Sequence, residues 1–80
     1  MVHDDIIVHM LLFARDNKGV FKKSSFKYLA DPPRTWRECH QLLDHCVQRG
    51  YFEKTRPEGK RAYIYYMTLK GYAVLELGGL

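Results

Sequence analysis

Apolar residues recur along this chain with two periods, and the pattern predicts four helices and one β-hairpin. The first helix is predicted over residues 4–16, where apolar side chains repeat three and four positions apart: Ile6, Ile7, Met10, Leu11 and Ala14. Asp4 and Asp5 at its start can cap the helix or complement its dipole. Further apolar residues fall on its other sides: Val8, Leu12 and Phe13. One small core does not cover that much apolar surface.

Val20-Phe21 is predicted to be a short strand or a docking loop, and a short second helix follows it. Ser24 or Ser25 can cap this helix, which is predicted over residues 25–30. Its inward side chains are expected to be Phe26 and Leu29. Asp31-Pro32-Pro33 ends the helix, because a residue before proline avoids the helical region.

The third helix has the clearest start and stop signals. Thr35 followed by Glu38 forms a capping box, and Gly50 supplies the stop, so the helix is predicted over residues 35–49. One face is expected to lie in the core: Trp36, Cys39, Leu42, Leu43, Cys46 and Val47. The opposite face is polar: Arg37, Gln41, Asp44 and Gln48, with His45 beside them. Trp36 is expected to be a core residue rather than an exposed stacking platform.

Residues 51–56 and 61–67 are rich in apolar and aromatic side chains and predict the two strands of a hairpin. Pro57-Glu58-Gly59 between them fits a type I turn with proline second and glycine fourth. Basic residues flank this turn, and the second strand is apolar on both faces. Thr68 can then cap a last helix over residues 69–77, which Gly78-Gly79 would end.

Positive charge is concentrated in the middle of the chain. The formal net charge is +4 over 80 residues. Residues 18–61 alone hold eleven lysines and arginines against five aspartates and glutamates, a net charge of +6. This asymmetry indicates a polyanionic partner. The length allows one small domain, residues 1–80, whose modest core often needs support from a partner subunit.

The sequence gives no sign of export or of a membrane-spanning segment. Its N-terminus lacks a basic region, and its apolar runs are too short to cross a bilayer. Cys39 and Cys46 lie seven positions apart on the third predicted helix, so about 10 Å of helical rise separates their Cα atoms. A disulfide requires a separation below about 7 Å. We therefore expect two reduced thiols and a cytoplasmic, DNA-associated protein.

Candidate metal and catalytic residues do not form a convincing site. Residues 39–46 contain two cysteines and two histidines, but the cysteines face the core while the histidines point elsewhere. His3-Asp4-Asp5 resembles a ligand pair of metal-dependent phosphohydrolases, which take their other ligands from a much longer helical chain. Helix capping explains these residues better. With no nucleophile outside a core face and no glycine-rich phosphate loop, we expect neither enzyme activity nor a metal or cofactor.

The order of elements resembles that of winged helix-turn-helix proteins, the MarR-like and PadR-like regulators and their small archaeal and viral relatives. The residues Tyr65, Met67, Thr68, Leu69, Lys70 and Gly71 are similar to the family's Y-x-L-T-x-x-G. Gly50-Tyr51-Phe52 is similar to the family's glycine before an apolar strand. Met67 replaces the usual leucine, and Pro32-Pro33 is an unusual turn. The resemblance implies an α+β winged helix-turn-helix of three helices, a two-stranded hairpin wing and a short C-terminal helix.

In that family the third helix enters the major groove, and the hairpin lies along the adjacent backbone or minor groove. The resemblance therefore implies sequence-specific binding to double-stranded DNA. On and before the 35–49 helix, the implied DNA contacts are Arg34, Thr35, Arg37, Gln41, His45 and Gln48. In the wing, residues 51–67, they are Lys54, Arg56, Lys60 and Arg61. Near the second helix, backbone contacts are implied for Lys22, Lys23 and Lys27.

The resemblance also implies a homodimeric transcription regulator. The surplus apolar faces of the first and last helices would form its two-fold interface, and two recognition helices would meet half-sites roughly 34 Å apart. Two alternatives stay open. A winged-helix interaction module of a larger assembly would present the same apolar surfaces to another protein, and an architectural DNA-binding protein would bind without sequence preference.

Overall fold

The computed structural model describes residues 4–78, with the side chain of Asp4 left out. Along the chain the elements are α1 (Asp4–Asp16), β1 (Val20–Lys22), a 3₁₀ helix (Lys23–Tyr28), α2 (Trp36–Gln48), β2 (Phe52–Thr55), β3 (Ile64–Met67) and α3 (Leu69–Glu76). The α+β class is thus confirmed, with four helices and a three-stranded antiparallel sheet in the described residues. The expectations for His3, Gly79 and the Asp4 side chain lie outside those residues.

The predictions for the first and third helices are confirmed to within a residue. Thr35 is the N-cap of α2, and its Oγ1 accepts a hydrogen bond from the Glu38 amide at 3.2 Å. The Glu38 carboxylate accepts from the Arg34 amide at 3.3 Å, one residue before the partner of an ordinary capping box. At the other end Gly50 has φ +81°, and the amide of Tyr51 donates to the Cys46 carbonyl at 2.8 Å. This left-handed closure needs glycine and ends the helix.

The second predicted helix is present as a 3₁₀ helix, and its bounds are corrected. The prediction covers residues 25–30, whereas the chain forms a 3₁₀ helix over Lys23–Tyr28, and Ser25 Oγ accepts from the Lys22 amide at 3.1 Å. The segment is confined between β1 and the two prolines, and such short helices gain too few hydrogen bonds to offset the cost of α-helix nucleation. Phe26 and Leu29 are buried, as predicted.

The two-stranded wing is also corrected, because the sheet has three strands. β1 pairs antiparallel with β3, which gives the order β1-β3-β2 with Phe21 opposite Tyr65. Phe21 is fully buried and lies at the centre of an aromatic cluster: its ring centroid is 5.1 Å from that of Phe26 and 5.7 Å from that of Phe52. A lone hairpin is marginally stable in water, and the third strand adds the apolar contacts of Phe21 that such a hairpin lacks.

The turn of the hairpin is not the predicted type I turn. The amide of Lys60 donates to the Pro57 carbonyl at 3.1 Å, and Gly59 in the third position has φ +77°. A positive φ at the third position, after a residue with negative φ, is the pattern of a type II turn. β2 ends at Thr55 rather than at residue 56, and β3 begins at Ile64 rather than at residue 61, so residues 56–63 form a loop longer than a tight hairpin turn.

The core lies between α1, α2 and one face of the sheet. The predicted core face of α2 is confirmed at four positions: Cys39, Leu42, Leu43 and Cys46 are buried, and both cysteines are free thiols. The prediction for Trp36 is wrong, because 60% of this residue is exposed. Trp36 is the first residue of α2 and extends past the end of the core, beside the start of the 3₁₀ helix.

The segment Thr68–Gly71 joins the start of α3 to the connection between α2 and β2. Thr68 Oγ1 accepts from the Gly71 amide at 3.1 Å and donates to the Gly50 and Tyr51 carbonyls, the latter at 3.2 Å. The Thr68 amide donates to the Tyr51 carbonyl at 3.0 Å. A Cβ on Gly71 would lie 2.6 Å from that same Tyr51 oxygen. The Thr68 hydroxyl therefore serves hydrogen bonding at this junction, while local packing requires glycine at position 71.

Candidate nucleic-acid interface

A groove of about 620 Å³ opens between the start of α2, the junction of β1 with the 3₁₀ helix, and the β2–β3 loop. Four cationic side chains line this basic groove: Lys22, Lys23, Lys60 and Arg61. The rest of its wall is mainly apolar or aromatic: Trp36, Pro57, Ala62, Tyr63, Ile64 and Tyr65, with Ser24 and His40 completing it. No carboxylate is among these residues. The groove is thus an apolar surface bordered by positive charge.

The third strand brings the cations of the groove together. Lys22 ends β1 directly opposite Ile64, the first residue of β3, so the start of the 3₁₀ helix lies beside the base of the β2–β3 loop. Lys60 and Arg61 follow the Gly59 turn in that loop. Two groups of residues that the sequence assigned separately, to the second helix and to the wing, therefore line one groove.

Two exposed aromatic rings lie against cations at this surface. The Lys23 Nζ is 4.6 Å from the ring centroid of Trp36. Tyr63 is 40% exposed, with the Lys54 Nζ 4.1 Å and the Arg56 guanidinium carbon 5.8 Å from its ring centroid. Exposed cation–π contacts of this kind contribute about 0.5–1 kcal/mol each. They hold the long basic side chains near the rings without neutralising their charge.

The polar face of α2 forms a second surface next to the basic groove. Its exposed residues include Arg37, Gln41, Asp44 and Gln48, while His45 is half-buried. Arg34 and Thr35 are exposed just before the helix, where the Thr35 hydroxyl is engaged as the N-cap. Of the predicted cations, Lys27 lies apart from both surfaces, with its Nζ 5.2 Å from the Tyr28 ring centroid.

The cations of these surfaces have no carboxylate partner within the described side chains. In residues 5–78 the one ion pair within 4.0 Å joins Arg15 and Asp16 at 3.9 Å, at the end of α1. Burial raises the pKa of Tyr65, and the Asp44 carboxylate adds to this effect. Tyr65 is therefore a neutral residue in the wall of the groove, and the positive charge of the lysines and the arginine there is available to an anion.

Several groove residues were not predicted from the sequence: Trp36 on this surface, His40, Ala62 and Tyr63. The close spacing of basic and aromatic residues in Lys60-Arg61-Ala62-Tyr63 is a signal that could have indicated Ala62 and Tyr63, but it does not indicate Trp36 or His40. Over residues 4–78 no three His, Cys, Asp or Glu residues are grouped as metal ligands. No helix in that range is both long and apolar enough to cross a membrane.

Comparisons with protein-family models, with curated proteins and with solved structures find no match for this chain. What the chain binds is therefore inferred from the basic groove and from the polar face of α2.

Proposed function

We propose that this chain is a winged helix-turn-helix domain that binds double-stranded DNA, with α2 in the major groove and the β2–β3 loop on the adjacent backbone. The observation that carries the proposal is the meeting of two exposed surfaces at the start of α2. One is the polar face of the helix, and the other is the basic groove with its four unpaired cations. Lysine and arginine on a loop suit phosphates, which set affinity and register.

The residue types on α2 suit base recognition. Arg37 and Gln41 are exposed in the first turns of the helix, on the side opposite its four buried residues. Arginine can donate two hydrogen bonds to guanine, and glutamine can pair with adenine, through the major-groove edges of these bases. A regulator that recognises one operator sequence would use these side chains for specificity and the loop for affinity.

The first test measures binding to a fluorescently labelled random-sequence duplex by anisotropy at several salt concentrations. We expect log K to fall linearly with log salt with a slope of roughly −4 to −8, which corresponds to about five to nine phosphates. The double variant Arg37→Glu/Arg56→Glu should abolish binding. The control Arg15→Glu/Lys18→Glu makes the same change in charge at the end of α1 and should retain it. No binding at about 50 mM salt and micromolar protein would contradict the proposal.

Specificity is tested separately by selecting preferred duplexes from a random pool and competing them with unselected DNA. A transcription regulator should keep its selected site in the presence of excess random duplex. Equal competition by random duplex would instead support the architectural alternative. The interaction-module alternative would be supported if the natural chain bound no DNA but formed a complex with another protein. The Arg37→Glu/Arg56→Glu variant should then retain that complex.

We further propose that the DNA-binding form is a homodimer joined through α1 and α3. Leu69 at the start of α3 is 89% exposed, and Leu77 at its end is 84% exposed. α3 packs against α1, where Val8 and Leu12 are half-buried. Exposed leucines at both ends of a helix, beside partly covered apolar residues, are typical of an interface.

Sedimentation equilibrium at micromolar concentration tests the dimer. The natural chain should sediment at about twice its monomer mass of 9.5 kDa. Leu69→Glu/Leu77→Glu should sediment as a monomer, whereas Leu69→Met/Leu77→Met preserves the apolar surface and should remain dimeric. A natural chain that is monomeric under these conditions contradicts the dimer without affecting the proposal for DNA.

A further inference from the structure

We infer that the basic groove receives an unpaired nucleotide of the DNA, with its base stacked on Trp36 and its flanking phosphates held by Lys22, Lys23, Lys60 and Arg61. The inference rests on the proposed function, because it specifies which DNA the domain engages. Its preferred ligand would be a duplex with a single-stranded overhang, a frayed end or a junction. A fully paired duplex would occupy α2 and meet the cations of the groove through its phosphates, but it would leave the apolar wall of the groove uncovered.

The aromatic surface of Trp36 is the first step of the argument. The Lys23 ammonium group lies against one part of the indole, at 4.6 Å from its centroid, and yet 60% of the residue stays exposed. The remaining indole surface is therefore open to a ligand. Stacking of a base on an aromatic side chain is tolerant of sequence and stabilises single-stranded complexes by about 1–3 kcal/mol per base.

The apolar wall of the groove distinguishes an unpaired base from a duplex backbone. In B-form DNA the bases are stacked inside, and the outer surface that faces a protein loop consists of phosphates and sugars. Such a surface offers nothing to Trp36, Tyr63, Ala62 and Ile64, which line the groove. An unpaired base presents a flat apolar face to this wall, while its phosphates meet the cations at the border.

The size of the groove agrees with this ligand. Its volume of about 620 Å³ lies within the range of roughly 300–1,000 Å³ that is usual for small-molecule sites. A space of this size accepts a single nucleotide. Because no carboxylate of the described side chains lines the groove, its charge selects an anionic ligand.

The sequence contains a single tryptophan, so intrinsic fluorescence reports directly from the groove. We would titrate the protein with a blunt duplex, the same duplex carrying an overhang of about four thymidines, and the single strand alone. The overhang and the single strand should quench Trp36 emission, and the overhang should bind about tenfold more tightly than the blunt duplex. The blunt duplex should bind with little quenching.

The outcomes separate this inference from the proposed function. Equal affinity for overhang and blunt duplex, with Trp36 emission unchanged, overturns the inference and leaves duplex binding standing. Quenching by the single strand without any duplex binding supports the groove site and overturns the proposed function. Binding to none of the three DNAs overturns both. Equal quenching and displacement of DNA by polyglutamate would identify an acidic-peptide site and overturn the inference.

Two variants of Trp36 separate stacking from general apolar contact. Trp36→Phe keeps a flat ring and should retain most of the preference for the overhang, measured by anisotropy of labelled DNA. Trp36→Leu is apolar but cannot stack, and it should lose about tenfold in affinity for the overhang with no change for the blunt duplex. Because Trp36 is mostly exposed, both variants should fold, which circular dichroism checks. An equal loss on both DNAs in Trp36→Leu would contradict stacking.

Discussion

Cys39 and Cys46 lie on the core face of α2, and burial raises the pKa of both thiols. For Cys46, which is fully buried, the pKa is raised to about 12. For Cys39 the neighbouring Glu38 carboxylate adds to the effect of burial. Neutral thiols in an apolar core pack as small hydrophobic side chains and are poor nucleophiles. The cysteines therefore contribute to stability and not to chemistry at the basic groove.

The raised pKa predicts a loss of stability at high pH. The unfolded Cys46 thiol ionises near its ordinary 9.0, while the folded thiol stays protonated up to about 12. Between these values the unfolded state binds fewer protons, so the free energy of unfolding should fall by up to about 1.4 kcal/mol per pH unit. Urea unfolding from about pH 8 to pH 10.5 tests this, with Cys46→Ala expected to show a shallower slope. Equal slopes in the two proteins would contradict the prediction.

Gly71 shows how a single close contact decides a residue type. In most helices Gly→Ala stabilises by about 1 kcal/mol, because alanine has the higher helix propensity. Here the added Cβ would lie 2.6 Å from the Tyr51 carbonyl oxygen, an atom of the backbone. We expect Gly71→Ala to destabilise the protein by about 1–2 kcal/mol. Thermal unfolding of Gly71→Ala measures the effect of the contact, and Ala73→Gly measures the effect of helix propensity in the same helix. A Gly71→Ala variant more stable than the natural chain would contradict the clash.

At the scale of elements, the helices with a strong period and clear caps could be predicted from the sequence. The bounds of α2 differ from the predicted ones by only one residue at each end. They could be predicted because the Thr35 cap and the Gly50 stop depend on local hydrogen bonds. The bounds of the 3₁₀ helix and the pairing of β1 with β3 could not be predicted in the same way. Both depend on partners far along the chain, such as Tyr65 opposite Phe21, and a three-residue strand has no period of its own.

Thr68 connects two elements, so replacing it should lower the free energy of unfolding by more than replacing an ordinary N-cap. Its hydroxyl caps α3 and also donates to backbone carbonyls at the end of α2. We expect Thr68→Ala to lower the free energy of unfolding by about 2 kcal/mol, at the upper end of the range for N-caps. Thr68→Ser keeps the oxygen and should lose less than half of that. Chemical denaturation measures both, and equal losses would show that the methyl group and not the hydroxyl matters.

For the whole molecule, the sequence predicted which residues carry charge but not how they meet. Lys22 and Lys60 were assigned to different parts of a DNA interface, and only the pairing of β1 with β3 brings both to one groove. The exposure of Trp36 could not be predicted from the helical period, because the period describes a face and not where the core beneath that face ends. The basic groove is therefore a product of tertiary structure.

The gathering of cations in the basic groove should reduce stability when no anion is bound. Four like charges share the groove without a carboxylate among them, and their repulsion is screened by salt. Lys60→Gln should therefore raise stability by about 0.5 kcal/mol at low salt, which corresponds to about 2–4 °C in melting temperature. Under the proposed function, the same variant should bind DNA more weakly, because it would remove a phosphate contact.

Melting temperatures from low to moderate sodium chloride provide the measurement, and Lys18→Gln provides the control. That variant removes the same charge from an exposed turn after α1, outside the groove, so its melting temperature should follow the natural chain at every salt concentration. The gain from Lys60→Gln should vanish as salt screens the repulsion. An equal rise in melting temperature for both variants, or a rise that persists at high salt, would contradict the prediction. Repulsion among the four groove cations would then not limit stability.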